Sequence, residues 1–401
     1  MAVEQCCFSR NEIGDGLVDA ALGCGDLKKG IKQSMTSRER VLAALNHREP
    51  DRVAVDFGSH RSSGIMAIAY KKLKDYLGIC CGDIYVYDVI QQLAIVEPPV
   101  LDEFGVDVVE LGRGFLTDDG DWKEWVLPDG TPCKIPAYVD MEKRGDDWLL
   151  LNKSGRPAGV QKKGCLYFEQ IDYPLAERGI AEDDFSDLEK HLGEGMWSVA
   201  SPGGHLSLED DDLRRLAEGA QKLRASTDRA IVGLFGGNLF ETPQSLYRMD
   251  NYLMYLMMYP AQVLRLSEKL TEMNLRNLEK WLTAVGPYID VILFGDDLGG
   301  QNGPLISPQT YRTFYKPFHQ KMWRRVQELA DVKILLHSCG GIEPFLDDLI
   351  DAGLDAVNPV QISAAGMDAR TLKEKYGDRL TFWGGGCDTQ TVLPHAAPEA
   401  V

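Results

Sequence analysis

The sequence predicts an α/β barrel of the (β/α)8 type. Short runs that are apolar on both faces recur along the chain, with helical patterns between them. Polar and ligand-type side chains also gather where those runs end. The runs fall at about 53–57, 106–111, 230–235, 289–294, 332–337, 354–358 and 380–385. Strands without an apolar/polar alternation, separated by helices, belong to a parallel sheet covered on both sides. Alternation sustained over this length favours a closed barrel over an open sheet, and in barrels chemistry sits where strands give way to βα loops.

Taken in order, residues 1–34 are Gly-rich and weakly periodic and read as a mobile N-terminal extension, with Met35 opening a cleaner start. "SRERVLAALNHREPDR" reads as a helix with a Ser cap and with Glu39 three residues after Thr36. "VAVDFG" is the first strand, "IMAIAYKKLKDYLGI" an amphipathic helix and "VDVVELG" the second strand. From about 119 to 170 the texture changes: tryptophans alternate with polar residues, and turns appear at "LPDGTP", "KRGDD" and "NKSGRP". That punctuation predicts an antiparallel meander inserted in the single domain of residues 35–401. The βα rhythm then resumes from "AIVGLFGG" to "LTFWGGG". The apolar "YLMYLMMY" stops at Pro260 and reads as a buried helix.

Composition narrows the functions. A net charge of −18 over 401 residues repels phosphate backbones and anionic lipid, so nucleic acid and membrane surfaces are poor partners. No apolar run approaches the roughly 20 residues of a membrane span. Nine cysteines without framework spacing and no charged-then-apolar leader point to a reducing cytoplasm, where thiols serve metal or redox chemistry before disulfides.

The strand ends carry the candidate site. Glu110 follows the second strand, Asn238 and Glu241 the third, and Asp296, Asp297 and Gln301 the fourth. His337 and Cys339 follow the fifth, Asn358 and Gln361 the sixth, and Cys387 and Asp388 the seventh. His337 and Cys339 are two apart, so in extended backbone they face one way. With Cys387 they make three soft-to-borderline ligands, which suits Zn²⁺ and leaves a position open. A core histidine with two packed thiols is the plainer alternative. Asp296, Asp297 and Glu241 are the candidate catalytic carboxylates, since paired acids after an apolar strand are costly unless hydrogen-bonded or used. Asp296 and Asp297 could equally cap a loop, and Gln301 could fold one. Glu110, His60, Gln301 and Asn358 are candidate substrate contacts, with His60 and Arg61 placed to meet an anionic group or to cap a helix. His47, His191, His205 and His319 read as surface residues.

At these residues the sequence resembles the uroporphyrinogen decarboxylase superfamily. The likeness runs from "MTSRERVLAALNHREPDRVAVDF" through "GDDLGGQNGPLISPQTYRTFYKP" to "HSCGG" and "GGGCDTQ", covering nearly everything after Met35. The metal-free decarboxylases carry an Arg-rich segment after the first strand; here "VDFGSHRSSGIMAIAYKKL" stands in its place. The zinc-dependent, corrinoid-linked methyltransferases carry a His-x-Cys…Cys set that His337, Cys339 and Cys387 match. The resemblance therefore implies zinc and a methyl group moved between a small donor, an aromatic methyl ether, and a corrinoid. The chain has no Asp-x-His-x-x-Gly pattern, so the corrinoid is expected on a separate partner protein. The alternatives are a decarboxylase of uroporphyrinogen, a thiol methyltransferase of the coenzyme M type, and a non-enzymatic zinc-binding module. Similar proteins continue for an eighth βα unit, whereas "DTQTVLPHAAPEAV" is all that follows Cys387 here. A barrel without that unit is expected, its first and seventh strands facing an open gap that promotes homo-oligomers.

Overall fold

The computed structural model describes residues 35–200 and 208–400, so the proposed extension at 1–34 lies outside the described residues. Thr36, rather than a serine, caps the first helix, α1 (Ser37–Leu45): its hydroxyl accepts the Glu39 N–H at 3.2 Å, and the Glu39 carboxylate accepts the Thr36 N–H at 2.9 Å.

Six parallel strands form the central sheet: β1 (Val108–Glu110), β2 (Ala230–Gly236), β3 (Val291–Gly295), β4 (Lys333–His337), β5 (Ala356–Asn358) and β6 (Thr381–Phe382). Neighbours in the sheet follow chain order, β6-β5-β4-β3-β2-β1. Side chains alternate by face as the two-residue period requires. Val108, Ala230, Val232, Val291, Leu293, Leu335 and Ala356 form one apolar cluster inside the curl. Val41 and Leu45 of α1 belong to the same cluster, so α1 plugs the barrel. The alternate residues Val109, Ile231, Ile292, Ile334, Leu336 and Val357 belong to the larger core shared with the surrounding helices.

The expected first strand, 53–57, forms no ladder. The Val55 carbonyl accepts the Asp107 N–H, but the Val55 N–H goes to the Asp107 carboxylate, 2.8 Å each. Asp107 is pinned in turn by Arg40 at 2.6 Å and Arg52 at 2.7 Å. On the other side, the Trp383 indole donates to Asp56 at 2.8 Å. A side chain thus takes the bond that a neighbouring strand would have used, and the segment lies between the sheet edges as irregular chain.

The insertion is antiparallel as expected. A hairpin pairs Trp122–Val126 with Pro132–Pro136, and a second sheet joins Asp140–Arg144, Asp147–Leu151, Pro157–Gln161 and Glu169–Gln170. Trp125 and Trp148 meet edge-to-face at 5.9 Å and tie the two together. The helix Met249–Met258 buries Tyr252 and Leu256 but exposes Met254, Met257 and Met258, so it is not the buried helix its composition indicated. No helix among the described residues is long and apolar enough to cross a membrane.

Candidate metal and substrate site at the barrel mouth

Register sets the site. Gly295 of β3 pairs with His337 of β4, which pairs with Asn358 of β5, so three strand ends stand level. Asp297 and Cys339, each two residues beyond β3 and β4, then fall beside His337. The His337 Nε2 lies 3.6 Å from Asp297 Oδ1 and 3.5 Å from Cys339 Sγ. One ligand atom from each of the three lies within 4.8 Å of the others, a grouping able to hold a metal ion.

The surroundings prepare these donors. Asn358 Nδ2 donates to the Trp383 carbonyl at 3.0 Å, which turns its Oδ1 toward the Nδ1–H of His337 at 2.8 Å. Nε2 is thereby the bare, basic nitrogen, facing Asp297 and Cys339. Ser62 also donates to that Oδ1 at 2.6 Å and touches His60 Nδ1 at 2.8 Å, so a hydrogen-bond chain joins His60 to His337. Burial holds the His337 imidazole below its ordinary pKa, which favours the neutral ligand form. Burial, with Asp297 beside it, pushes the Cys339 thiol up to about 12, so a metal would have to displace its proton. Asp297 also accepts the Cys339 N–H at 2.7 Å, fixing the turn that carries the thiol. That turn needs Gly340: its φ is +82°, and a Cβ there would sit 2.4 Å from the Gly299 carbonyl carbon.

The two adjacent aspartates divide their work. Asp296 is fully buried, and its oxygens accept N–H groups from Leu239, Phe240 and Glu241 at 2.8–3.0 Å and face His319 Nε2 at 3.0 Å. It faces away from the cavity and positions the start of helix α2 (Glu241–Tyr247). His319, read from sequence as a surface residue, is 2% exposed on helix α4 (Lys316–Leu329), bonded to the Tyr311 hydroxyl and stacked on Trp323. Glu241 does reach the cavity. Burial, then the charges of Asp297 and Asp296, raise its pKa to about 8, while Asn238 donates to it at 2.7 Å.

The remaining candidates separate. A cavity of about 890 Å³ is lined by Asp297, His337, Cys339, Glu241, Glu110 and His60, with Arg61, Phe115, Phe235 and Phe294 among its walls. Asn358 stands behind His337 rather than on the wall. Gln301 is exposed and bonds Gln361 and the Ser363 carbonyl, 2.6 Å each, so it folds a loop and does not line this cavity. Arg61 is paired with Asp88, which takes the charge expected to meet an anion. Asp388 caps its own loop through the Thr391 hydroxyl and N–H. Cys387 sits half-buried on the loop after β6, outside the close donor group. Sequence reading missed Asp88, whose "YVYDV" has a strand's apolar alternation, and α3 (Pro260–Val285), which brings Asn274, Asn277 and Trp281 to the cavity.

Among solved structures, a methyltransferase from Methanosarcina mazei superposes with a TM-score of 0.44 at 16% sequence identity, covering 86% of this chain and 82% of that one. No curated protein matches the chain. Residues 204–399 match the model of the family described as uroporphyrinogen decarboxylase (URO-D). That stretch contains strands β2 to β6 with the "HSCGG" and "GGGCDTQ" segments. The match spans just under half of the chain, and over residues 204–399 the chain is similar to the uroporphyrinogen decarboxylase family.

Proposed function

We propose that the chain is a zinc-dependent methyltransferase of this family, moving a methyl group between an aromatic methyl ether and a corrinoid carried by a separate protein. One observation carries the reading: an imidazole, a thiol and a carboxylate converge at the wall of a cavity whose other uncommitted charged groups are acids. Such a mouth suits a metal ion and a neutral substrate. A polycarboxylate porphyrinogen would instead meet Glu110, Glu241 and Asp297, with Arg61, the one arginine among the described lining residues, already held by Asp88.

The residues fit zinc. His337, Cys339 and Asp297 would hold the ion, and Cys387, on a loop opened by Gly384 and Gly385, is the proposed further ligand. When bound, the ion supplies Lewis acidity toward a leaving oxygen. Asn358 keeps His337 in the ligating tautomer. Glu241, mostly protonated near neutral pH, gives its proton to that oxygen as the oxygen–methyl bond breaks and the electron pair stays with oxygen. Phe115, Phe235 and Phe294 exclude water and pack against the ring. Mixing the protein with cob(I)alamin and a methoxyaromatic should convert the corrinoid spectrum to the methylated form, with His337→Ala inactive. An unchanged spectrum, with carbon dioxide released from uroporphyrinogen, would make the chain a decarboxylase.

A further inference from the structure

The cavity holds a third acid, one that the reaction above does not use. Glu110, the last residue of β1, lines the cavity and is 9% exposed, yet its carboxyl makes no hydrogen bond among the described residues. The carboxyl opens onto the cavity rather than being sealed in the core, so a donor on a bound ligand can reach it. Its space is kept by Gly112, where a Cβ would lie 2.7 and 2.9 Å from the two carboxyl oxygens.

The groups around Glu110 are Arg113 on the turn after β1, His60 and Arg61 on the loop before Ala67–Tyr76, Asp88 and Tyr87 on Val86–Asp88, and Tyr138. Burial outweighs the cations and raises the carboxyl pKa to about 7, so its charge changes near neutrality. Phe115 and Phe235 line the same cavity and offer faces for a ring.

We infer that Glu110 is the acceptor for a substrate hydroxyl, so that the site selects a methyl donor bearing a neutral hydrogen-bond donor and disfavours one bearing a carboxylate. This rests on the methyl-transfer reading, which it narrows from aromatic ethers in general to hydroxylated ones. A hydroxyl donating to an ionised carboxylate forms a charge-assisted bond, whereas a second carboxylate is repelled.

Calorimetric binding of 3-methoxyphenol, methoxybenzene and 3-methoxybenzoate to the full chain tests this without turnover. The phenol should bind about tenfold more tightly than methoxybenzene at pH 8, the scale of one hydrogen bond to a charged group, with the benzoate weakest. That advantage should shrink at pH 6, where Glu110 takes up a proton. It should vanish in Glu110→Leu and persist without pH dependence in Glu110→Gln, the variant that keeps the shape of the side chain. Equal binding of phenol and methoxybenzene, an advantage surviving in Glu110→Leu, tightest binding of the benzoate, or no binding of any of the three would overturn the inference. Failure of methyl transfer with this preference intact overturns only the reaction. Methyl transfer without the preference overturns only the role of Glu110.

Discussion

The His337 Nδ1–H donates to Asn358 Oδ1 at 2.8 Å, across paired strand ends, and so directs Nε2 toward Asp297 and Cys339. Partners behind a metal-binding histidine fix its tautomer and ring orientation, and their loss typically costs 10–100-fold in metal affinity. Asn358→Ala should therefore still bind zinc but release it to a chelator at concentrations roughly 10–100-fold lower than the wild type requires. An unchanged chelator titration would mean that Asn358 does not orient the ligand.

Much of this site is legible in the sequence because strand ends are. An apolar run that stops at "HSC" or "GDD" announces side chains at the barrel mouth, and His337, Cys339, Asp297, Glu241 and Glu110 all reach the cavity. Adjacency hides the rest. Asp296 and Asp297 look equivalent in sequence, but backbone direction sends one to three N–H groups and the other to the donor group. Gln301 sits in the same loop, yet pairs with Gln361 and leaves the cavity. His319 lies in a polar helix pattern, and contacts with Asp296, Tyr311 and Trp323 bury it. The strand expected at 53–57 has a strand's composition, but the Asp107 carboxylate takes its N–H bond.

The aspartates should respond in opposite ways. Asp296→Ala leaves three N–H groups and His319 without their buried partner, and should lower unfolding free energy by about 3–5 kcal/mol in denaturant titration. Asp297→Ala, at a side chain 34% exposed, should cost on the order of 1 kcal/mol while weakening metal binding. Comparable stability losses in the two variants would contradict this division.

Glu110 ties stability to pH. Its pKa is raised from 4.5 to about 7, so the folded state holds the proton more tightly than the unfolded one. Its contribution is therefore most favourable below pH 4.5 and is lost as pH rises through about 7. Glu110→Gln should be stabilised relative to wild type at pH 8 by roughly 2–3 kcal/mol, with little or no gain at pH 5. Melting temperatures at the two pH values check this, and an equal difference at both would show that Glu110 titrates normally.

The glycine turn beside the thiol should be intolerant. Gly340→Ala places a Cβ against the Gly299 backbone at positive φ, so either the loop shifts or the fold loses about 1–3 kcal/mol. Zinc content should fall with it, because the same turn places Cys339. A variant with full zinc content and an unchanged melting temperature would mean that the turn relaxes freely.

X-ray absorption at the zinc edge of the loaded protein checks whether His337, Cys339 and Asp297 form a single metal centre. The spectrum should show a sulfur scatterer at about 2.3 Å with nitrogen and oxygen scatterers at roughly 2.0–2.2 Å. In Cys339→Ser one sulfur scatterer should be lost, and in His337→Ala the imidazole contribution should disappear. A first shell without sulfur, or one unchanged in both variants, would contradict it.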